Sequence, residues 1–174
     1  VQDVDGNGVI TTDDRIIYSQ RPDVTFGFNN NFNYKGFDLS VFLYARLGQW
    51  IAYDYNTTYR INALENGGNV DYWTPENPTN AFPRPNKSKS YTQVTYYSTL
   101  KYEDGSFFKI RDITLGYTFK PELLKHLNLS RLRVYATAKN FFTFSKIDNY
   151  DPEQGGSISF PMTKQLVFGL NVEF

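Results

Sequence analysis

The sequence predicts an all-β, antiparallel protein, a stretch of the wall of a transmembrane β-barrel. Three observations carry this. Five segments alternate apolar and polar residues with a period of two, the mark of a strand with one apolar face. Their connections are unequal, tight at one end of the strands and very long at the other. The strands are about ten residues long, the length a tilted strand needs to cross a bilayer, whereas the longest unbroken apolar run, Val41 to Ala45, is far too short for a spanning helix.

In the first strand, Phe26, Phe28, Asn30, Phe32 and Tyr34 alternate with Thr25, Gly27, Asn29, Asn31 and Asn33. In the second, Phe37, Leu39, Val41, Leu43, Ala45 and Leu47 alternate with Asp38, Ser40, Phe42, Tyr44, Arg46 and Gly48. Lys35-Gly36 between them is a hairpin signal. A third run, Phe107 to Phe119, ends with Ile113, Leu115, Tyr117 and Phe119 set against Asp112, Thr114, Gly116 and Thr118. A fourth, Leu132 to about Phe144, sets Leu132, Val134, Ala136 and Ala138 against Arg133, Tyr135, Thr137 and Lys139. The last places Leu166, Phe168, Leu170, Val172 and Phe174 against Gln165, Val167, Gly169, Asn171 and Glu173.

The turn Lys35-Gly36 and the link Lys120 to Arg131, where Pro121 to Lys125 suits one helical turn, lie at one end. Connections of more than 50 residues (about 49–106) and about 20 residues (145–164) lie at the other. Soluble domains seldom carry such loops; outer-membrane barrels do so routinely. On that reading residues 1–24 are an extracellular acidic loop and 25–174 the barrel strands with their loops. The apolar faces meet lipid, and Asp38, Arg46, Asp112, Arg133, Lys139 and Glu173 face the lumen. Five strands leave two open edges, which a barrel removes by closure; further strands are expected from a longer chain. The competing arrangement is a soluble sandwich with its apolar faces turned inward.

Composition narrows the function. Eighteen basic residues balance 18 acidic ones, so the chain has no nucleic-acid footprint. It has no cysteine, hence no disulfide, thiolate metal site or cysteine nucleophile. A single histidine, His126, sits in the short link, and no nucleophile motif accompanies it. Nothing predicts an enzyme.

Asp3-Val4-Asp5-Gly6-Asn7-Gly8-Val9-Ile10-Thr11-Thr12-Asp13-Asp14 matches the EF-hand-type loop with Asp14 in place of the closing Glu. Calcium prefers six to eight oxygens. Asp3, Asp5, Asn7, the Val9 carbonyl, Thr11 and Asp14 are the candidate ligands, and Gly8 permits the sharp turn. A plain Asx/Gly turn without an ion fits the same residues. The long connection is crowded with rings, of which Trp50 and Tyr53 fall where an interfacial aromatic girdle would lie. Deeper in, Tyr59, Tyr72, Trp73, Tyr96 and Tyr97 are candidates to meet a substrate or partner, since such rings pair flat apolar area with a polar tip. The alternative is that they pack the loop against itself. Pro75, Pro78, Pro83 and Pro85 predict an extended stretch without regular structure.

The acidic loop, Tyr34-Lys35-Gly36-Phe37-Asp38-Leu39-Ser40, Asp104-Gly105-Ser106-Phe107, Ile113-Thr114-Leu115-Gly116-Tyr117, Leu132-Arg133-Val134-Tyr135, Asn140-Phe141-Phe142-Thr143, Tyr150-Asp151-Pro152-Glu153 and the terminal Phe174 occur in an order that resembles the C-terminal part of SusC/RagA-type TonB-dependent outer-membrane transporters. The resemblance implies the last five strands of a 22-stranded barrel around an upstream plug, in the outer membrane of a Gram-negative bacterium with a periplasmic C-terminus. It also implies TonB-powered import of oligosaccharides or peptides beneath a SusD-like surface lipoprotein. The terminal strand is similar to the signal read by the barrel-assembly machinery at Gly169, Val172 and Phe174, with Val167 where a polar residue is usual. A soluble calcium-stabilised glycan-binding β-module is the alternative function.

Overall fold

The structure is a computed structural model that describes residues 3–56, 71–82, 84 and 100–174. Five long strands form one antiparallel sheet: β1 (Val24–Tyr34), β2 (Phe37–Leu47), β5 (Phe107–Thr118), β6 (Arg131–Ser145) and β7 (Gln165–Glu173), in the order β1-β2-β5-β6-β7. The sheet is open, with β1 and β7 at its edges. Two short strands, β3 (Trp50–Ala52) and β4 (Tyr102–Asp104), pair with each other.

The turn between β1 and β2 has Lys35 at φ 48° and Gly36 at φ 89°, the left-handed pair that matches the twist of a two-residue hairpin. Gly36 is also fixed by contact: a Cβ there would lie 2.8 Å from the Thr118 carbonyl oxygen. Between β5 and β6, Pro121 opens a single helical turn, α1 (Pro121–Leu124), followed by a 3-10 turn over Lys125–Leu127. Leu124 is buried beneath it, while His126 is exposed.

The register brings the alternating sets into line. Phe28, Leu43 and Ile110 are neighbours across three strands; Phe32, Leu39, Leu115 and Ala136 across four. The face so formed is apolar over all five strands, interrupted only by Asn30. It is also uncovered: Leu115, Phe168 and Leu170 are exposed, Leu170 at 67%. In water such an area would be a severe liability. Among the described residues, the buried apolar side chains other than Ala45 lie off this face, chiefly in a small cluster of Ile51, Tyr53 and Ile147 at the long-loop end. A soluble sandwich would have to close a core over Leu39, Leu43, Leu115, Val134 and Leu170, and among the described residues none is built there. Asp38, Arg46, Asp112, Arg133, Lys139 and Glu173 all fall on the opposite, polar face.

A set of bulges explains why the alternation in β5 is clean only from Ile113 onward. The same stretch of ladder is spanned by Val41–Leu43 in β2, Ile110–Ile113 in β5 and Ala138–Phe142 in β6. Each strand carries one residue more than its neighbour, so in β5 the apolar phase moves from even positions (Phe108, Ile110) to odd ones (Ile113, Leu115, Tyr117). In β6 the surplus is absorbed at Asn140, whose φ of 58° is the left-handed conformation that Asn tolerates well.

The long connection is not featureless at its ends. β3 and β4 carry the β2–β5 hairpin onward past Gly48 and Gly105. There Gln49 and Gly105 exchange hydrogen bonds, with Gly105 N 2.9 Å from the Gln49 carbonyl and Gln49 Nε2 2.6 Å from the Gly105 carbonyl. This alters the expected place of Tyr53. Trp50 lies against Tyr18, with ring centroids 4.3 Å apart, and Tyr53 is buried in the Ile51–Ile147 cluster, so Tyr53 does not join a lipid-facing girdle. At the short-turn end the rings of Tyr34 and Phe37 are exposed, and Phe37 lies 4.6 Å from the half-buried Tyr117, itself 5.1 Å from Phe119.

Candidate functional site

The acidic loop folds as a series of turns closed by its own side chains. Asp3 accepts from Gly6 N (2.7 Å) and Gly8 N (2.8 Å), Asp5 from Asn7 N (3.0 Å), and Asn7 from Val9 N (2.8 Å). Asp14 reaches back to accept from Val4 N and Thr11 N, both at 2.7 Å. Thr11 in turn accepts from Asp13 N, so Thr11 and Asp14 form a capping box around the 3-10 turn Thr12–Asp14. Oxygens of Asp3, Asp5 and Asp14 converge within 4.8 Å of one another. Asn7 joins this group through Nδ2, which donates to Asp5 Oδ2 at 2.7 Å.

Two glycines, Gly6 (φ 73°) and Gly8 (φ 81°), take left-handed conformations; the spacing pointed to Gly8 alone. The shorter Asp14 reaches the head of the loop because the capping turn bends the chain back toward it. The backbone N–H groups of Thr11 and Val4 hold the Asp14 carboxyl below the usual aspartate range, by hydrogen bonding to its charged form. Three converging carboxylates are donors of the kind a hard cation takes.

Of the aromatic candidates, Tyr72 and Trp73 belong to a compact turn that pairs Tyr72 with Phe82 and Thr74 with Asn77. Pro75 and Pro78 therefore lie in or beside a closed turn rather than an extended stretch. Asp71 ties it down, accepting from Asn77 Nδ2 (2.8 Å) and Thr79 Oγ1 (2.7 Å). These two bonds lower the Asp71 pKa. The rings of Tyr72 and Trp73 are exposed, Trp73 at 41%. Tyr59, Tyr96, Tyr97, Pro83 and Pro85 lie outside the described residues.

On the polar face of the sheet, Arg133 pairs with Asp38, and Tyr135 lies over Gly169 on the neighbouring strand, where a Cβ would fall 2.2 Å from Tyr135 Cζ. Gly169 thus has a packing role of its own. Val172 and Phe174 continue the apolar face, with Phe174 almost fully exposed. At the long-loop end, Asp151 and Glu153 of the β6–β7 connection dock on Lys109. Their separation of more than 40 residues from Lys109 hid that pairing from any local pattern.

No protein-family model matches the chain. It is 31% identical over 195 residues to TonB-dependent receptor P3 of Formosa agariphila, an alignment that covers 99% of this chain and 18% of that receptor. It is likewise 31% identical over 181 residues to TonB-dependent receptor SusC of Bacteroides thetaiotaomicron, covering 99% of this chain and 17% of SusC. Among solved structures, the RagAB peptide importer in its "closed-closed" state superposes with a TM-score of 0.71 at 26% identity, covering 99% of this chain and 20% of that one. The "open-open" state gives 0.67 at 28% identity, covering 92% and 18%. The chain spans about a fifth of the length of these relatives.

Proposed function

This chain belongs to the SusC/RagA-type TonB-dependent receptors, and we propose that it forms part of the barrel wall and extracellular mouth of an outer-membrane nutrient importer. The observation that carries the proposal is the continuous, uncovered apolar face of the sheet set against a polar face with internal ion pairs, which is how a strand wall divides lipid from lumen. The relatives, named as receptors and importers, point the same way. The wall lies in the outer membrane of a Gram-negative bacterium, with the Lys35-Gly36 turn, α1 and the C-terminus on the periplasmic side.

The imported substrate is an oligosaccharide or a peptide, delivered beneath a SusD-like lipoprotein and driven through TonB. One solved relative is described as a peptide importer. Tyr72 and Trp73, held outward by the Asp71 turn, make contact with substrate or lid. Gly169, Val172 and Phe174 present the final strand to the barrel-assembly machinery. The acidic loop takes a calcium ion through Asp3, Asp5 and Asp14, with Asn7, Val9 and Thr11 completing the oxygen set, and serves as a structural clip.

The experiment is fractionation of cells producing the intact receptor, followed by electrophoresis with and without heating. A heat-modifiable band in the outer-membrane fraction is expected. A soluble periplasmic or secreted receptor would overturn the proposal and restore the glycan-binding module as the better account.

A further inference from the structure

The β6–β7 connection is fastened at two points, to the polar face of β5 and to the residues that follow β3. At the first, Lys109 of β5 has a side chain with 0% exposure, its ammonium 2.6 Å from Asp151 Oδ2 and 2.8 Å from Glu153 Oε2. The second Glu153 oxygen lies 3.1 Å from Arg111 Nη1. Two cations and two carboxylates thus form one neutral group. A 3-10 turn over Pro152–Gln154 presents both acids on the same side, with Asp151 accepting from Glu153 N at 3.0 Å and Pro152 buried beneath.

At the second point the connection lies flat against the residues that follow β3. Gly156 accepts from Asp54 N at 3.0 Å, and a Cβ on Gly156 would stand 2.3 Å from the Ala52 carbonyl oxygen. On either side of these points in the chain, Ile147, Tyr150 and Ile158 pack in one cluster with Ile51, Tyr53 and Tyr55.

A buried ammonium group is tolerated only while it is paired, because an isolated charge in such a site carries a large desolvation cost. The position of the loop is therefore tied to the charges that it brings. We infer that the β6–β7 connection is a strap across the mouth of the interior, moving as one body with the first residues of the β3–β4 connection and held shut by the Lys109 cluster. This rests on the barrel reading above, in which the polar face of β5 is the interior. The neutrality of the cluster lets the strap close without trapping net charge. Loss of Lys109 leaves Asp151 without its cation and the group with a net negative charge, which favours the open arrangement; loss of either acid leaves Lys109 paired once and the group with a net positive charge.

The test is amide hydrogen exchange, read by mass spectrometry on the intact receptor. In Lys109→Met, exchange over residues 146–158 and 52–55 is expected to rise together by about tenfold or more, while the middle of β2 and β6 stays unchanged. In Lys109→Met/Asp151→Asn, where the Arg111–Glu153 pair remains and neutrality returns, protection is expected to recover in both segments. Unchanged exchange over 146–158 in the single variant, loosening of one segment without the other, or a double variant as loose as the single would each overturn the inference. Should Lys109→Met fail to assemble, Glu153→Gln takes its place, with a smaller rise expected in the same two segments and no rise counting against the strap. Heat-modifiable migration of the wild-type receptor reports separately on the barrel, and its absence would move the strap off a barrel interior while leaving the exchange result to decide the latch.

Discussion

Arg133 on β6 reaches across the full width of β5 to hold Asp38 on β2, with Nε 2.9 Å from one carboxylate oxygen and Nη2 2.5 Å from the other. It passes directly over Gly116, where a Cβ would lie 2.5 Å from both Arg133 Nη2 and Asp38 Oδ1. The glycine is required by the ion pair above it rather than by its own backbone. Arg133→Lys keeps the charge but loses the two-pronged grip, and should cost about 1–2 kcal/mol in urea unfolding of the intact receptor. Gly116→Ala forces the pair aside and should cost about 1–3 kcal/mol. Combining it with Arg133→Lys should cost less than the sum, because both changes disturb the same pair.

The Tyr135–Gly169 relationship separates packing from assembly in the terminal strand. Gly169→Ala pushes the Tyr135 ring off β7 and should lower stability by about 1–3 kcal/mol. Gly169→Ala/Tyr135→Ala should recover part of that loss, since the ring is then absent. If Gly169 also serves as an assembly signal, the amount of receptor reaching the membrane will stay low in the double variant even as stability recovers. Yield in the membrane and urea midpoint are the two measurements to compare.

Asp14 governs the order of the acidic loop through pH. Its folded pKa lies below the ordinary aspartate value because the charged carboxylate accepts from Thr11 N and Val4 N. Its stabilising contribution is therefore complete above the ordinary range and disappears as pH falls through the lowered folded value. Amide resonances of Val4 and Thr11, followed by NMR in acid titration, should shift together with the Asp14 carboxyl. Asp14→Asn can accept with only one atom, so one of these two bonds should be lost at every pH.

For calcium, Asp3→Ala/Asp5→Ala should abolish binding measured by titration calorimetry on the intact receptor while leaving its heat-modifiable migration intact, since loop order is local. Unchanged affinity in that variant would remove the metal from the account.

Trp73 offers the corresponding test at the loop tip. Trp73→Ala should weaken substrate or lipoprotein binding by about tenfold if the ring is a contact anchor, with no change in the unfolding midpoint because the ring is half exposed. Equal binding by wild type and variant would leave Tyr72 and Trp73 as surface rings only.

The sequence by itself determined the five long strands, the Lys35-Gly36 hairpin and the sorting of apolar from polar faces, while the structure decided that the apolar face lies open rather than closing on a sandwich core. The strands, the hairpin and the sorting follow from backbone geometry with a period of two and from turn chemistry between adjacent residues. The short β3 and β4 were not legible, because three-residue strands carry too little periodicity to register. Only the tertiary structure decided that Tyr53 is buried rather than lipid-facing, that Gly116 and Gly169 lie beneath the side chains of Arg133 and Tyr135, and that Lys109 is locked by acids more than 40 residues away. Those outcomes depend on which distant segments are brought together and how closely. Alternation says which face a residue occupies; the bulges and docked loops decide what it meets there.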